Sequence, residues 1–209
     1  MPGSPRMTEV RCTPLYGART ALVEIGSVHI LLNCGWDVAF DVASLEPLRE
    51  VASKINLVLL THHSLEHLGG LPLAFGRLGI DAPIYCTVPV HKMGQMTLYD
   101  AHSAMVNEHG ERFSEETFGL DDVDAAFDRI KTLKFSQHLV IKGTGIEVTP
   151  YAAGHTIGGA FWRIVYDGTD EVIFAVDLNH KRCGVAPGCG AARRSCVMVS
   201  SNPAQREAS

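Results

Sequence analysis

Three groups of polar residues in this sequence stand at the ends of apolar, strand-like runs. His62, His63, Ser64, Glu66 and His67 follow the run LVLL at 57–60, His155 follows the β-rich run that starts at Ile146, and Asp177 follows VIFAV. Strand ends are where α/β proteins place their sites, because the sheet is rigid there while the loops are free to vary. Imidazole and carboxylate both ligate zinc, and a hydrolytic zinc centre needs several of them to converge while leaving a position for water. Any single one of the ten histidines is explained as well by a solvated loop. It is the combination that points to metal-type chemistry. The Gly-rich stretches 143–145 and 154–159 match neither a P-loop nor a dinucleotide fingerprint, so they read as turns and close strand packing.

The elements that must carry these groups follow from periodicity. Ala21 to Ile25 and Val28 to Leu32 read as a hairpin turning at Gly26 and Ser27. Leu45, Leu48, Val51 or Ala52, and Ile55 keep a helical period, which feeds the buried strand Leu57 to Leu60. A polar loop, Thr61 to Gly70, precedes helix-like Leu71 to Leu78 and a short strand, Pro83 to Thr87. Pro89 to Val106 reads as a helix with Val90, Met93, Met96 or Thr97, and Ala101 along its apolar side. A further helix, capped by Asp121 or Asp122, carries Val123, Ala126, Phe127 and Ile130. Strand-like runs then cover Leu139 to Lys142, Ile146 to Thr149, Ala160 to Tyr166 and Val172 to Val176. Helices among strands, some hairpin-linked, predict an α/β protein with a mixed sheet.

Composition excludes several classes. At 209 residues, 46% hydrophobic and 20% charged, the chain has the make-up of a globular domain or part of one. Asn33, Asn56, Arg163 and Asp170 interrupt its most apolar segments, so no bilayer span is expected. Met1 to Arg11 lacks the apolar core of a secretory signal, and an intracellular protein is expected. A net charge of −5 argues against a free-standing nucleic-acid binder held by phosphate contacts. Cys12, Cys34 and Cys86 read as small buried hydrophobes, and Cys183, Cys189 and Cys196 lack the close spacing of a structural zinc site.

The stretch LVLLTHHSLEHLGGLP resembles the signature of the metallo-β-lactamase superfamily, a strand followed by T/S-H-x-H-x-D-H, and AAGHTIGGAFW and FAVD resemble its third and fourth motifs. KMGQMTLYD, LDDVDAAFDRIKTLKFSQ, AGHTIGG and AVDLNHKR are similar to the β-CASP RNA-processing branch of that superfamily, over about Met7 to Arg182. The resemblance implies an αββα sandwich of which this chain holds the first half, a mixed sheet with flanking helices. It divides the chain into a flexible start (1–6), an incomplete metallo-β-lactamase-like domain (7–182) and an unpatterned tail (183–209). The tail is expected to be disordered or foreign to the family. A half-sandwich is also expected to leave an apolar sheet face uncovered.

Carried over residue by residue, the resemblance makes His62, Glu66, His67, His155 and Asp177 a remnant metal set. Ser64 stands where the second histidine of the signature belongs, Glu66 on its aspartate, and Asn33 where active members have aspartate. A hydroxyl is a poor zinc ligand. The extra methylene of Glu66 shifts its carboxylate by about an ångström, a misplacement that can cost ~100-fold in rate. His63 adjoins His62, so the two side chains tend to diverge. The branch therefore implies a non-catalytic scaffold in the nuclear machinery that cleaves and polyadenylates pre-mRNA. It would be partnered by the catalytic β-CASP endonuclease homologue and other factors of that complex, with no catalytic residues of its own and zinc at most at a partial site. Lys181 and Arg182, beside His180, are candidates for an RNA phosphate contact, with a solvated loop end the simpler reading. The alternative is an active zinc hydrolase, acting on RNA or on a small ester or thioester through a modified metal site.

Overall fold

Both faces of the first sheet are buried at its centre, and the central strands are accordingly apolar at consecutive positions instead of alternating. Leu31 and Val58 face one core while Ile30, Leu32, Leu57 and Leu59 face another, as the period-2 geometry of a strand requires. The computed structural model describes residues 10–17, 19–168, 170–179 and 194–198. The first sheet has the order β1 (Val10–Tyr16), β2 (Thr20–Ile25), β3 (Val28–Leu32), β4 (Leu57–Leu59), β5 (Ile84–Thr87) and β6 (Ile130–Leu133). Its first three strands are antiparallel, and β3 to β6 run parallel through helical crossovers.

The helices are α1 (Glu46–Val51), α2 (Leu65–Leu68), α3 (Leu71–Gly76), α4 (Val88–His109), α5 (Arg112–Glu116) and α6 (Leu120–Asp128). Each sends a residue into the same core beneath the first sheet, among them Leu48, Leu68, Leu73, Leu98, Phe113 and Phe127. The second sheet has the order β11 (Arg194–Met198), β10 (Asp170–Ala175), β9 (Ala160–Tyr166), β8 (Ile146–Ala152) and β7 (Leu139–Ile141). Its Ile146, Val148, Trp162, Ile164, Val172 and Phe174 meet the first sheet across the second core. The layers are thus helix, sheet, sheet, the α/β half-sandwich expected. Among the described residues no helix covers the outer face of the second sheet, where Tyr151 and Phe161 stack at 5.4 Å.

Several details differ from the sequence reading. β1 and β6 were not expected. β6 shows why, since IKTL continues the helical period of the preceding segment and is cut from it only by pairing with β5. α6 therefore ends at Asp128 and Ile130 belongs to the strand. Asp122 stabilises the start of α6 from inside, accepting a hydrogen bond from the Gly119 N–H at 2.8 Å, instead of capping from outside. The segment 42–54 is a 3-10 turn, α1 and a second 3-10 turn, not one helix.

The buried stripe of α4 is Val90, Gly94, Leu98 and His102, while Met96 is solvent-facing. Gly94 matters because a Cβ there would come within 2.5 Å of Leu68 Cδ2, so its absence lets α2 approach. Cys34 and Cys86 are buried free thiols, and Cys12 is only half-buried. In the tail, β11 pairs parallel with β10, an element the sequence reading did not assign. The remainder of 183–209, and residues 1–9, lie outside the described residues, as does the segment His180, Lys181 and Arg182. No described helix is long and apolar enough to cross a membrane.

Candidate functional site

The candidate residues meet at one end of the two sheets because two hydrogen bonds stitch the sheets together there. Trp162 Nε1 donates to the Leu60 carbonyl at 3.0 Å, and the Ala160 N–H donates to the Thr61 carbonyl at 2.8 Å. They fix the end of β4 against the start of β9. The loop after β10 is tied to the end of β8 by Asn179 N–H to the Ala153 carbonyl at 2.9 Å. Asp177, in that loop, has φ 49°, a left-handed conformation that an aspartate tolerates better than most side chains.

Glycines set the closest approaches. A Cβ on Gly35 would fall 1.8 Å from the Glu66 carbonyl oxygen, so only glycine lets α2 pack on the segment that leaves β3. A Cβ on Gly159 would meet the His62 ring at 2.7 Å. The 154–159 stretch thus acts by close packing, as its composition suggested.

Three histidines share the cleft. The rings of His62 and His67 are 4.8 Å apart and those of His62 and His155 are 6.0 Å apart. His62 and His67 are buried, whereas His155 is exposed. Burial pushes the His62 imidazole down to about 3, helped by the neighbouring His67, and burial also lowers His67 against the opposing pull of Asp177. Both rings are therefore neutral at pH 7. His62 Nδ1 pairs with Thr61 Oγ1 at 3.0 Å, while its Nε2 is buried without a hydrogen-bond partner. His63 is half-buried with an unpaired Nδ1 and joins neither ring pair.

The altered positions have definite new partners. Ser64 Oγ lies 2.7 Å from His67 Nδ1 and orients that ring from behind. His67 Nε2 stands 3.1 Å from Asp177 Oδ2, at ion-pair distance but without the alignment of a hydrogen bond. Asn33, fully buried, accepts from Thr61 N–H at 2.9 Å and Thr61 Oγ1 at 3.0 Å, and its Nδ2 donates to the Arg19 carbonyl at 2.9 Å. An aspartate could not make that last bond, because it has no N–H to offer.

Arg19, at the entry to β2, is the participant the sequence did not reveal. Its Nε donates to Asp177 Oδ2 at 2.6 Å, its Nη2 lies 3.3 Å from Asp177 Oδ1, and its Nη1 contacts Glu66 Oε2. The Asp177 hydrogen bond raises the guanidinium's already high pKa, so the cation is permanent. It stands 158 residues from Asp177 in the chain, and nothing local marks it. Beside the pair opens a cavity of about 350 Å³ walled by Tyr16, Arg19, Trp36, Val38 and Glu66. The structure thus brings His62, Glu66, His67, His155 and Asp177 into one neighbourhood. Yet the two carboxylates already hold a cation, and Glu66 is largely solvent-facing. Among the described residues no three His, Cys, Asp or Glu side chains are disposed to hold one metal ion. Despite the free Nε2 of His62, this donor set does not fit a hydrolytic zinc centre.

Comparison with known proteins is consistent with the layered architecture. A family model described as a metallo-beta-lactamase superfamily domain matches residues 22–200, running past Arg182. The chain is 43% identical over 170 residues to the probable cleavage and polyadenylation specificity factor subunit 2 of Drosophila melanogaster, covering 80% of this chain and 22% of the relative. It is 44% identical over 183 residues to cleavage and polyadenylation specificity factor subunit 2 of Arabidopsis thaliana, covering 84% and 24%. The chain thus spans under a quarter of the length of these curated relatives. Among solved structures it is similar to AidC, a dizinc quorum-quenching lactonase, with TM-score 0.50 and 20% identity over 77% of this chain and 56% of that one. That likeness concerns the fold.

Proposed function

The chain belongs to the metallo-beta-lactamase superfamily, and from that premise we propose that it works as a non-catalytic structural subunit of the nuclear machinery that cleaves and polyadenylates pre-mRNA. In that role it pairs with the catalytic β-CASP endonuclease homologue and meets pre-mRNA through the complex. The names of its relatives support the assembly. The observation that carries the non-catalytic part is the Arg19 guanidinium lodged between Glu66 and Asp177. A two-metal phosphodiesterase needs both ions to clamp the attacking and leaving oxygens, and here the carboxylates that would anchor them hold an arginine. Ser64, bonded to His67, offers no imidazole in compensation. Lys181 and Arg182 remain candidates for contact with RNA phosphates.

The competing reading is a zinc hydrolase using His62, Glu66, His67, His155 and Asp177, favoured by the unpartnered Nε2 of His62. The two part on one experiment. In a reconstituted cleavage complex, replacing Glu66→Gln and Asp177→Asn in this chain alone, with assembly checked in the same preparation, should leave pre-mRNA cleavage within about twofold of normal. A drop of ~100-fold, the size expected for losing a group that positions the reacting atoms, would establish the hydrolase instead.

A further inference from the structure

We propose that Arg19 is the resident cation of this cleft: its guanidinium occupies the Glu66 and Asp177 carboxylates that a divalent ion would need, and a metal gains the site only when Arg19 is removed. A guanidinium is suited to this, being planar, permanently charged and forked to match carboxylate oxygens. The geometry uses the fork fully, with Nε and Nη2 directed at the two oxygens of Asp177 and Nη1 at Glu66. The side chain is three-quarters buried, so solvent does little to screen the interaction with Asp177.

The backbone is arranged for the same end. Asn33 is held in one orientation, because its Oδ1 faces the Thr61 N–H and hydroxyl, and this leaves Nδ2 to anchor the Arg19 carbonyl. Thus the residue standing where active members have aspartate is the one that fixes the main chain of the arginine. The two residues act as a unit: an amide at 33 holds the arginine's backbone, and the arginine's single charge offsets part of the charge of the carboxylates at 66 and 177. Asp177 Oδ2 already stands 3.1 Å from His67 Nε2, and removing the guanidinium would free both carboxylates to turn toward the buried Nε2 atoms of His62 and His67, giving an acidic, imidazole-lined space of the kind zinc takes.

Zinc titration of the purified 209-residue chain by calorimetry tests this. The unmodified chain should show no stoichiometric zinc site in the cleft, while Arg19→Ala should bind about one zinc per chain at least ~10-fold more tightly, a gain of about 1.4 kcal/mol. Adding Asp177→Asn to that variant should remove the gain, which separates the cleft from adventitious surface histidines. A folded Arg19→Ala chain that gains no zinc affinity would overturn the proposal. Were Arg19→Ala to lose its fold, Arg19→Gln keeps much of the stem without the charge. The unmodified chain is also informative by itself, since a stoichiometric site abolished by Asp177→Asn alone would equally refute exclusion. None of these readouts involves cleavage or assembly, so they stand or fall apart from the structural-subunit reading.

Discussion

The two sheets bury their faces differently, and the contrast explains both the stability and the site. The first sheet is sandwiched between the helices and the second sheet, so Leu31 and Leu32, adjacent in sequence, are each fully buried on opposite sides. Among the described residues the second sheet is buried on one face only, and β9 alternates. Along β9, Trp162 and Ile164 are buried while Phe161 and Arg163 are partly exposed. The cleft lies at the seam, where the rigid end of β4 meets the less enclosed ends of β8 and β10. A doubly covered sheet supplies fixed anchors such as Asn33 and Thr61, and the other sheet presents Asp177 from a loop to Arg19 and His67.

The sharpest way to break this contrast is Trp162→Ala. It should cost about 3 to 5 kcal/mol, and it also deprives the Leu60 carbonyl of its donor, as urea denaturation would measure. Gly35→Ala comes next, at or above the ~3 kcal/mol upper end of overpacking. The added methyl meets the backbone of Glu66, which cannot swing aside, so a thermal melt should show a lower midpoint together with a displaced α2. Asn33→Asp should cost about 1 to 3 kcal/mol by turning an acceptor toward the Arg19 carbonyl, read in the same denaturation assay. Phe161→Ala, one residue from Trp162 but on the open face, should cost about 1 kcal/mol or less. A loss equal to that of Trp162→Ala would show that this face is covered after all.

A last effect is absent at neutral pH. Burial pushes the Cys34 and Cys86 thiols, both facing the helix-side core, from 9.0 up to about 12. A raised pKa means the fold favours the protonated form. Their contribution to stability is therefore whole below pH 9 and is lost as the pH rises from 9 toward 12. Iodoacetamide at pH 9 should accordingly leave both thiols unmodified in the folded chain and alkylate both in urea.

Much of the scaffold was legible in one dimension. The β2–β3 hairpin, the run that becomes β4 and the strands β8 to β10 all follow from apolar patterning and glycine turns, because burial of a strand is written in its own residues. β6 was not legible, since IKTL carries the period of the helix before it and only the neighbouring β5 selects the extended form. The Met93 and Met96 stripe misled for a similar reason. The face of α4 that is buried is the one where Gly94 admits Leu68, a matter of fit between helices and not of hydrophobicity.

For the site, the sequence by itself determined the types of residue and the loops that carry them: histidines after β4, a histidine between β8 and β9, an aspartate after β10, and the departures at Asn33, Ser64 and Glu66. Local spacing suffices for that, because each motif lies within one strand–loop unit. Tertiary structure alone decided what the charges do. Arg19 and Asp177 are separated by 158 positions, and Coulomb attraction depends on distance in space, not along the chain. Only the packing of one sheet on the other brings that guanidinium to the carboxylates and makes the cleft an arginine-filled one.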